Sequence, residues 1–371
     1  MRLDALRISQ FRNIESALFE PNPRFNIFHG ANGQGKTNLL EAIYLLSAAK
    51  SFRPQTTQAL IRHNQDQALL EARVDRGGHE RVVKLELHSR GKRVFLNNNP
   101  VRQLSDFFGT VNVVVFGPED IQLLKGSPSE RRRFIDRAIF NAHPVYADET
   151  SRYDEVLKQR NALLKLPSVD RVLLGIYDEQ LIQYGSDIVM RRLDFVQHFR
   201  PVMMKTFRAI FDADFDADVR YEMNWWVGEI QENASRVEVE RQLEGALKAA
   251  ESEERDRGFT TVGPHRDDLN ATLNAYDVKT YASQGQNRAF VLAMKIAEIR
   301  YLEERYRFVP ILLLDDVSSE LDRERNRYLF EFLRSRGEGQ VFITTTHRDY
   351  ILLDEEVTSF EVCSGVVTSE N

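Results

Sequence analysis

The chain has 371 residues, of which 42% are hydrophobic and 29% are charged. This composition supports a large apolar core, and no apolar run is long enough to span a bilayer. The net charge of −6 argues against a protein that coats DNA by bulk charge alone. A single cysteine, Cys363, excludes an internal disulfide framework and a cysteine zinc site. The N-terminus lacks a signal-peptide core, so we expect an intracellular protein with no membrane partner.

Strand patterns dominate the first part of the chain. Apolar residues at short spacing predict strand structure between Leu3 and Phe11, and residues 25–28 form a short apolar strand that runs into Gly30. Leu39, Leu40, Ile43 and Leu46 then lie on one face of a predicted helix. Further strands are predicted at residues 82–87, 93–96 and 111–116.

The second part of the chain changes character twice. Residues 129–257 follow mainly helical spacing, with charges on the other faces. Strand character returns after Gly258, followed by a helix at 287–306, an apolar strand at 309–314 and a strand at 341–345. We therefore predict an α/β head formed by residues 1–128 and 259–371, interrupted by a mainly helical insert at 129–258.

The clearest motif follows the strand at 25–28 and matches G-x-x-x-x-G-K-[ST] in full. Its residues are Gly30, Ala31, Asn32, Gly33, Gln34, Gly35, Lys36 and Thr37. Glycines let the backbone wrap a phosphate, and the amides at the helix N-terminus face its charge. Lys36 is predicted to reach the outer phosphates of ATP, and Thr37 to hold Mg²⁺. A glycine-rich turn without a ligand is the alternative, which the strand–loop–helix context disfavours.

Two carboxylates end the apolar strand at 311–314. Asp315 is predicted to hold the Mg²⁺ shell beside the P-loop. Asp316 is predicted to polarise the attacking water as a general base. The alternative is a solvated Asp-Asp turn, which would be about as favoured if the P-loop were absent.

Later motifs narrow the class to ATPases of the ABC type. Residues 319–322, Ser-Glu-Leu-Asp, stand where these proteins carry the D-loop, and His347 follows the next strand. Such a histidine contacts the γ-phosphate region, although a lone histidine after a strand is more often structural.

A four-residue turn before the helix at 287–306 resembles the ABC signature, whose usual core is Ser-Gly-Gly-Gln. Ser283, Gly285 and Gln286 would form a second phosphate site at a helix N-terminus. Such a turn caps the ATP held by a partner subunit, so the pattern predicts an ATP-dependent homodimer. Gln284 replaces a common glycine, and the alternative is a serine that only caps its helix.

Four stretches together resemble the bacterial RecF recombination-repair family across essentially the whole chain. They are residues 11–13 (Phe-Arg-Asn), 118–136, 263–269 (Gly-Pro-His-Arg-Asp-Asp-Leu) and 314–322. The resemblance implies an ABC-type P-loop ATPase head like that of SMC proteins, without the long coiled coil and with the helical insert as a lever arm. It also implies an ATP-driven dimer around double-stranded DNA near gaps, which acts with RecO and RecR to load RecA, in the cytoplasm at the nucleoid.

Several alternatives remain open at the level of sequence. The same site chemistry would serve an ABC transporter's ATPase subunit, although the RecF-like stretches count against it. Asp316 stands where a glutamate is usual, so a nucleotide-binding scaffold with little turnover is a further hypothesis. Arg131, Arg132 and Arg133 contact DNA phosphates, sit at a solvated helix end or pair with nearby acids.

Overall fold

The computed structural model describes residues 1–53, 56–212, 214–230, 234–353 and 357–370. The chain forms two compact units. The first comprises Met1–Ile121 and Leu302–Asn371, and the second comprises Gln122–Tyr301. None of the described helices is long and apolar enough to cross a membrane.

The elements of the first 121 residues are mostly strands. In chain order they are β1 (Arg2–Phe11), β2 (Ile14–Phe19), β3 (Phe25–His29), α1 (Lys36–Ala48), β4 (Gln67–Arg76), β5 (His79–His88), β6 (Gly91–Leu96), β7 (Asn99–Pro100), α2 (Leu104–Phe107) and β8 (Val113–Phe116).

The second unit is mainly helical and contains a small sheet. Its elements are α3 (Pro128–Ala142), α4 (Tyr146–Leu164), α5 (Arg171–Ile210), β9 (Ala217–Glu222), α6 (Arg236–Arg257), β10 (Asp268–Leu273), β11 (Tyr276–Asp277), α7 (Val278–Tyr281) and α8 (Gln284–Tyr306), of which residues 302–306 belong to the first unit. The strands β9, β10 and β11 pair antiparallel in the order β11-β10-β9.

The last part of the chain returns to the first unit. Its elements are β12 (Ile311–Asp315), α9 (Val317–Glu320), α10 (Arg323–Ser335), β13 (Val341–Thr345), β14 (Val357–Cys363) and β15 (Val366–Glu370).

Two six-stranded sheets build the first unit. One is antiparallel, in the order β2-β1-β4-β5-β6-β7, and the other has the order β15-β14-β3-β13-β12-β8. In the second sheet β14, β3, β13, β12 and β8 are parallel, and only β15 runs antiparallel. Every residue of β12 and β13 is buried, because the inner strands of a parallel sheet are covered on both faces. The alternating burial of β4 shows instead a strand with one face on the core.

An ion-pair cluster ties three helices of the second unit together. The fully buried guanidinium of Arg160 on α4 donates to Asp178 on α5 at 2.6 Å and to Glu254 on α6 at 2.6 Å. Removing Arg160 would leave the buried Glu254 without its cationic partner, so these contacts link α4, α5 and α6. The longest described helix, α5, has 40 residues, and no long coiled coil is found among the described residues.

The two compact units divide the chain differently from the predicted head and insert. Residues 122–128 and 259–301 belong to the predicted head, yet they lie in the second unit. The physical reason is strand pairing: β10, from beyond the predicted boundary, pairs along its whole length with β9 from inside the predicted insert.

Candidate nucleotide-binding site

The P-loop follows the central strand of the parallel sheet. β3 lies between β14 and β13, and the loop connects the carboxyl end of β3 to the start of α1. Gly30, Gly33 and Gly35 have φ values of +146°, +79° and +112°, which favour glycine. The predicted strand–loop–helix context is therefore present in the structure.

Lys36 begins α1 and folds back over the loop. Its Nζ donates to the carbonyl oxygens of Gly30 at 2.7 Å and Ala31 at 2.8 Å. Burial lowers the pKa of Lys36, and the negative charges of Asp316 and Asp315 oppose that shift. The structure thus places the lysine and both predicted acids within electrostatic range of one another.

Asp315 and Thr37 meet at the point predicted for the metal ion. Thr37 Oγ1 donates to Asp315 Oδ1 at 2.8 Å, and Thr344 Oγ1 donates to the same oxygen at 2.7 Å. Burial raises the pKa of Asp315, while the hydrogen bonds from Thr344 and Thr37 and the charge of Arg53 lower it. A carboxylate and a hydroxyl are oxygen ligands of the kind that Mg²⁺ takes in nucleotide sites, so the donor set fits this ion.

Asp316 occupies a constrained turn after β12. It has a left-handed φ of +49°, and its N–H donates to Thr344 Oγ1 at 2.9 Å. Its Oδ1 atom is buried and has no hydrogen-bond partner among the residues that the structure describes. A buried carboxylate oxygen without a partner is costly, and it fits a site that receives a water molecule or a ligand.

His347 follows β13, the strand next to β3. Its ring is exposed and packs edge-on against Tyr350, with the ring centroids 5.6 Å apart. Its backbone is fixed by Thr345, whose Oγ1 accepts from His347 N at 3.1 Å and donates to His347 O at 2.9 Å. Because Thr345 pairs with His29, the turn that carries His347 leaves the sheet beside the start of the P-loop.

The signature-like turn lies in the second unit and begins α8. Ser283 N donates to Gln286 Oε1 at 2.8 Å, and Gln286 N donates to Ser283 Oγ at 3.2 Å. This reciprocal pair is a capping box, so Ser283 does cap its helix. Ser283 is exposed, and Gly285 lies in the first turn of α8. The contact of these residues with ATP stays a prediction.

Two groups near the loop had no role in the sequence-based prediction of the site. Arg12 forms a bidentate pair with the buried carboxylate of Glu41 on α1, at 2.9 and 2.8 Å. Arg53 donates to Asn38 Oδ1 at 3.4 Å, and its charge acts on Asp315. Both arginines lie outside the P-loop motif, and only Arg12 belongs to a stretch that resembles the RecF family, at residues 11–13.

The basic cluster at 131–133 is largely engaged inside its own unit. Arg131 forms a bidentate pair with Asp268, with both contacts at 2.7 Å, and Arg132 donates to the carbonyl oxygen of Asp267 at 2.6 Å. The alternative in which this cluster pairs with nearby acids is therefore confirmed for Arg131. Arg133 is exposed.

The 263–269 motif is the centre of a buried polar cluster. Asp267 accepts from Trp225 Nε1 at 2.7 Å and from the Tyr221 hydroxyl, and Arg192 donates to the Pro264 carbonyl at 2.6 Å. Burial raises the pKa of Asp267 to about 6. The motif thus joins α3, α5, β9 and β10, which explains why it carries the buried Asp267 and the paired Asp268.

His265 sits at the edge of this cluster and is held in its neutral form. Its Nε2 lies 3.2 Å from the Thr260 carbonyl, which only accepts, so Nε2 carries the proton and Nδ1 accepts from the Tyr153 hydroxyl at 2.7 Å. Burial lowers the pKa of His265 to about 4 from 6.5. Since the folded pKa is depressed, its stabilising contribution is complete above pH 6.5 and is lost as the pH falls through 4.

We expect His265→Asn to make the second unit less sensitive to acid. Between pH 7.5 and pH 5, the histidine contributes a loss of about 2 kcal/mol that asparagine cannot contribute. Asp267 acts in the opposite direction, since its contribution is lost as the pH rises through about 6, so the comparison is made between variants at each pH. Urea unfolding followed by tryptophan fluorescence reports this unit, because both tryptophans, Trp225 and Trp226, lie in it.

His198→Asn provides the matched control, since His198 is a partly exposed histidine of the same unit. The control variant should lose stability in parallel with the unchanged protein between the two pH values. An equal stability difference between His265→Asn and the unchanged protein at both pH values would contradict the assignment of the acid-sensitive group.

The fold and site geometry define a P-loop ATPase head. The sequence-family model of the RecF/RecN/SMC N terminal domain matches residues 2–369. Solved SMC heads share the fold: one bound to the C-terminal winged-helix domain of ScpA has a TM-score of 0.56 at 15% identity, covering 100% of this chain and 97% of that one.

Curated relatives identify the branch of this group. The DNA replication and repair protein RecF of Geobacter metallireducens is 43% identical over 99% of this chain and 100% of its own length. That of Myxococcus xanthus is 41% identical over 93% of this chain and 91% of its own. A solved structure of the recombination mediator protein RecF with ATP, in the RecFOR pathway, matches with a TM-score of 0.90 at 31% identity, covering 100% of this chain and 97% of that one. The chain belongs to the RecF family of DNA replication and repair proteins.

Proposed function

We propose that this chain binds ATP with Mg²⁺ at the P-loop, dimerises when ATP is bound and hydrolyses ATP slowly, at a rate that DNA raises. The observation that carries the proposal is the contact of Thr37 with Asp315, directly beside Lys36. It brings the end of β12 to the start of α1, as a site for a nucleotide and its metal ion requires.

The role of each residue in the site follows from its position. The amides of residues 30–37 and the ammonium of Lys36 bind phosphate, and Thr37 and Asp315 hold Mg²⁺. When bound, Mg²⁺ neutralises negative charge on the phosphate oxygens. The unpartnered Oδ1 of Asp316 orients the attacking water as general base, and His347 contacts the γ-phosphate region.

The partner subunit completes the site. Ser283, Gly285 and Gln286 would cap the ATP held by the partner subunit, because α8 begins directly after the exposed Ser283 and its N-terminus is the positive end of the helix dipole. The homodimer grips double-stranded DNA near gaps and, with RecO and RecR, supports RecA loading at the nucleoid in the cytoplasm. The helical segment at 129–258 acts as the lever arm. The relatives' description as DNA replication and repair proteins and the RecFOR context of the ATP-bound relative support this part of the proposal.

Replacing Ser283 with arginine tests the dimer. We expect Ser283→Arg to weaken ATP-dependent dimerisation about 100-fold, because it puts a long charged side chain where the partner's phosphate loop must approach. ATP binding to the monomer should be unchanged. Sedimentation with and without ATP, beside a fluorescent-nucleotide titration, gives both quantities.

A second serine that precedes a helix in the same unit supplies the control. Ser127 precedes α3 and its N–H donates to Glu130 Oε2 at 2.7 Å, much as Ser283 pairs with Gln286. Ser127→Arg should disturb a helix start in the same way and leave dimerisation intact. Normal dimerisation of Ser283→Arg would show that the signature assignment is wrong.

A further inference from the structure

Gln34, in the middle of the P-loop, is contacted by two distant parts of the chain. Its carbonyl oxygen accepts from Asn13 Nδ2 at 2.9 Å and from Gly365 N at 2.9 Å. Its side-chain Oε1 accepts from Ser364 N at 2.6 Å. Asn13 lies in the turn between β1 and β2, and Ser364 and Gly365 form the turn between β14 and β15. Both turns therefore donate a hydrogen bond to the Gln34 carbonyl oxygen of the loop.

The contacts leave no room for larger residues. A Cβ added to Gly35 would lie 2.6 Å from Asn13 Oδ1, and a Cβ added to Gly365 would collide with the Asn13 carbonyl oxygen. Gly365 also has a left-handed φ of +82°. Phosphate binding explains a glycine at position 35, but Gly365 lies far outside the P-loop motif. The positive φ of Gly365 belongs to the two-residue hairpin turn that it forms with Ser364 (φ +50°). Its close approach to Asn13 leaves its N–H in contact with the Gln34 carbonyl oxygen.

The peptide between Gln34 and Gly35 is the group that these contacts orient. In a trans peptide the C=O and the following N–H point in opposite directions. Two donors hold the Gln34 carbonyl toward Asn13 and Gly365, so the Gly35 N–H is directed to the opposite side of the loop. In P-loops that side faces the nucleotide, where backbone N–H groups cradle the α- and β-phosphates.

We propose that Asn13 and the Ser364–Gly365 turn are positioning elements of the phosphate site, which fix the Gln34–Gly35 peptide so that its N–H faces the β-phosphate. The proposal rests on the nucleotide binding proposed above and extends the site to residues outside every nucleotide-binding motif of the chain. The side chain of Asn13 is itself oriented, because Asn38 Nδ2 donates to its Oδ1 at 2.9 Å.

The isosteric change Asn13→Asp isolates the positioning contact. Aspartate keeps the oxygen that accepts from Asn38, but it replaces the donor to Gln34 with an oxygen that repels the Gln34 carbonyl. The peptide should then lose its fixed orientation while the fold is retained. The matched control is Asn97→Asp in the same unit, where Asn97 Oδ1 accepts from Val82 N at 2.9 Å and aspartate can do the same.

The test measures ADP and ATP binding by titration of a fluorescent analogue, with AMP as a competitor, on the full chain. We expect Asn13→Asp to weaken ADP and ATP binding about tenfold, the loss of one hydrogen bond to a charged group. AMP has no β-phosphate, so its affinity should change by less than about twofold. Asn97→Asp should match the unchanged protein with all three nucleotides.

The outcomes distinguish a failure of the proposed function from a failure of the positioning role. If the unchanged protein binds no ADP, the proposed function fails. If it binds ADP and Asn13→Asp binds equally well, or loses ADP and AMP in the same proportion, the positioning role is overturned. Thermal melting without nucleotide checks folding. Should Asn13→Asp not fold, Asn13→Ala removes the donor without adding charge. A smaller ADP-selective loss in that variant supports the role, and no loss overturns it.

Discussion

Replacing Lys36 with alanine is expected to weaken ATP binding about 100-fold, the effect of removing a buried charged donor from a phosphate site. Its Nζ now bonds to the carbonyls of Gly30 and Ala31, so the ammonium is held at the mouth of the loop that is to receive the phosphates. Burial, which lowers its pKa, also limits the water that would screen its charge. Titration with a fluorescent ATP analogue measures the change.

Lys50→Ala is the control for this experiment. Lys50 is an exposed lysine just beyond the end of α1, and its removal takes the same charge from the same unit. ATP affinity should be unchanged in Lys50→Ala. If Lys36→Ala binds ATP as tightly as Lys50→Ala does, the phosphate site has been placed wrongly.

Replacing Asp316 with asparagine should lower ATP turnover about 1,000-fold while ATP binding is kept, which is the usual range for loss of a general base. The backbone contacts of Asp316 with Thr344 do not involve its carboxylate, so the turn after β12 should be retained. We expect the variant to accumulate as an ATP-bound dimer. Single-turnover hydrolysis with and without duplex DNA, together with sedimentation in ATP, measures both effects.

Asp66→Asn controls for the loss of one negative charge, because Asp66 is an exposed acid of the same unit. Its turnover should match that of the unchanged protein. Two results would count against the catalytic assignment. Unchanged turnover in Asp316→Asn would exclude the general base. Negligible turnover of the unchanged protein, even with DNA, would favour the scaffold that binds nucleotide without hydrolysing it.

Local patterns in the sequence predicted the parts of the site that depend on neighbouring residues. The P-loop combines an apolar strand, three glycines and a helix within about 25 residues, and the strand that ends in Asp315 is a continuous apolar run. A parallel sheet brings the carboxyl ends of its strands to one edge, so Thr37 and Asp315 could be expected to meet. The structure confirms that they do, at 2.8 Å.

Contacts between distant residues could not be read in the same way. No local signal links Asn13 to Gly365, and none predicts that Arg131 pairs with Asp268 instead of facing solvent. The bounds of the compact units differ from those of the predicted head and insert for the same reason. Helical periodicity ends near residue 257, but β9 and β10 are matched by hydrogen bonds across that point, and pairing depends on the partner strand.

The position of β3 in its sheet has a consequence for biosynthesis. Both of its neighbours, β13 and β14, come from the far end of the chain, and roughly 300 residues separate β3 from β13. Ribosomes add about 5 to 20 residues per second, so this strand waits about 15 to 60 s for its first neighbour. A nascent chain therefore contains the complete P-loop sequence before the strands on either side of β3 have been synthesised. Nascent chains stalled before residue 341 should fail to bind ATP, and this protein should acquire its nucleotide only after β13 and β14 have been synthesised.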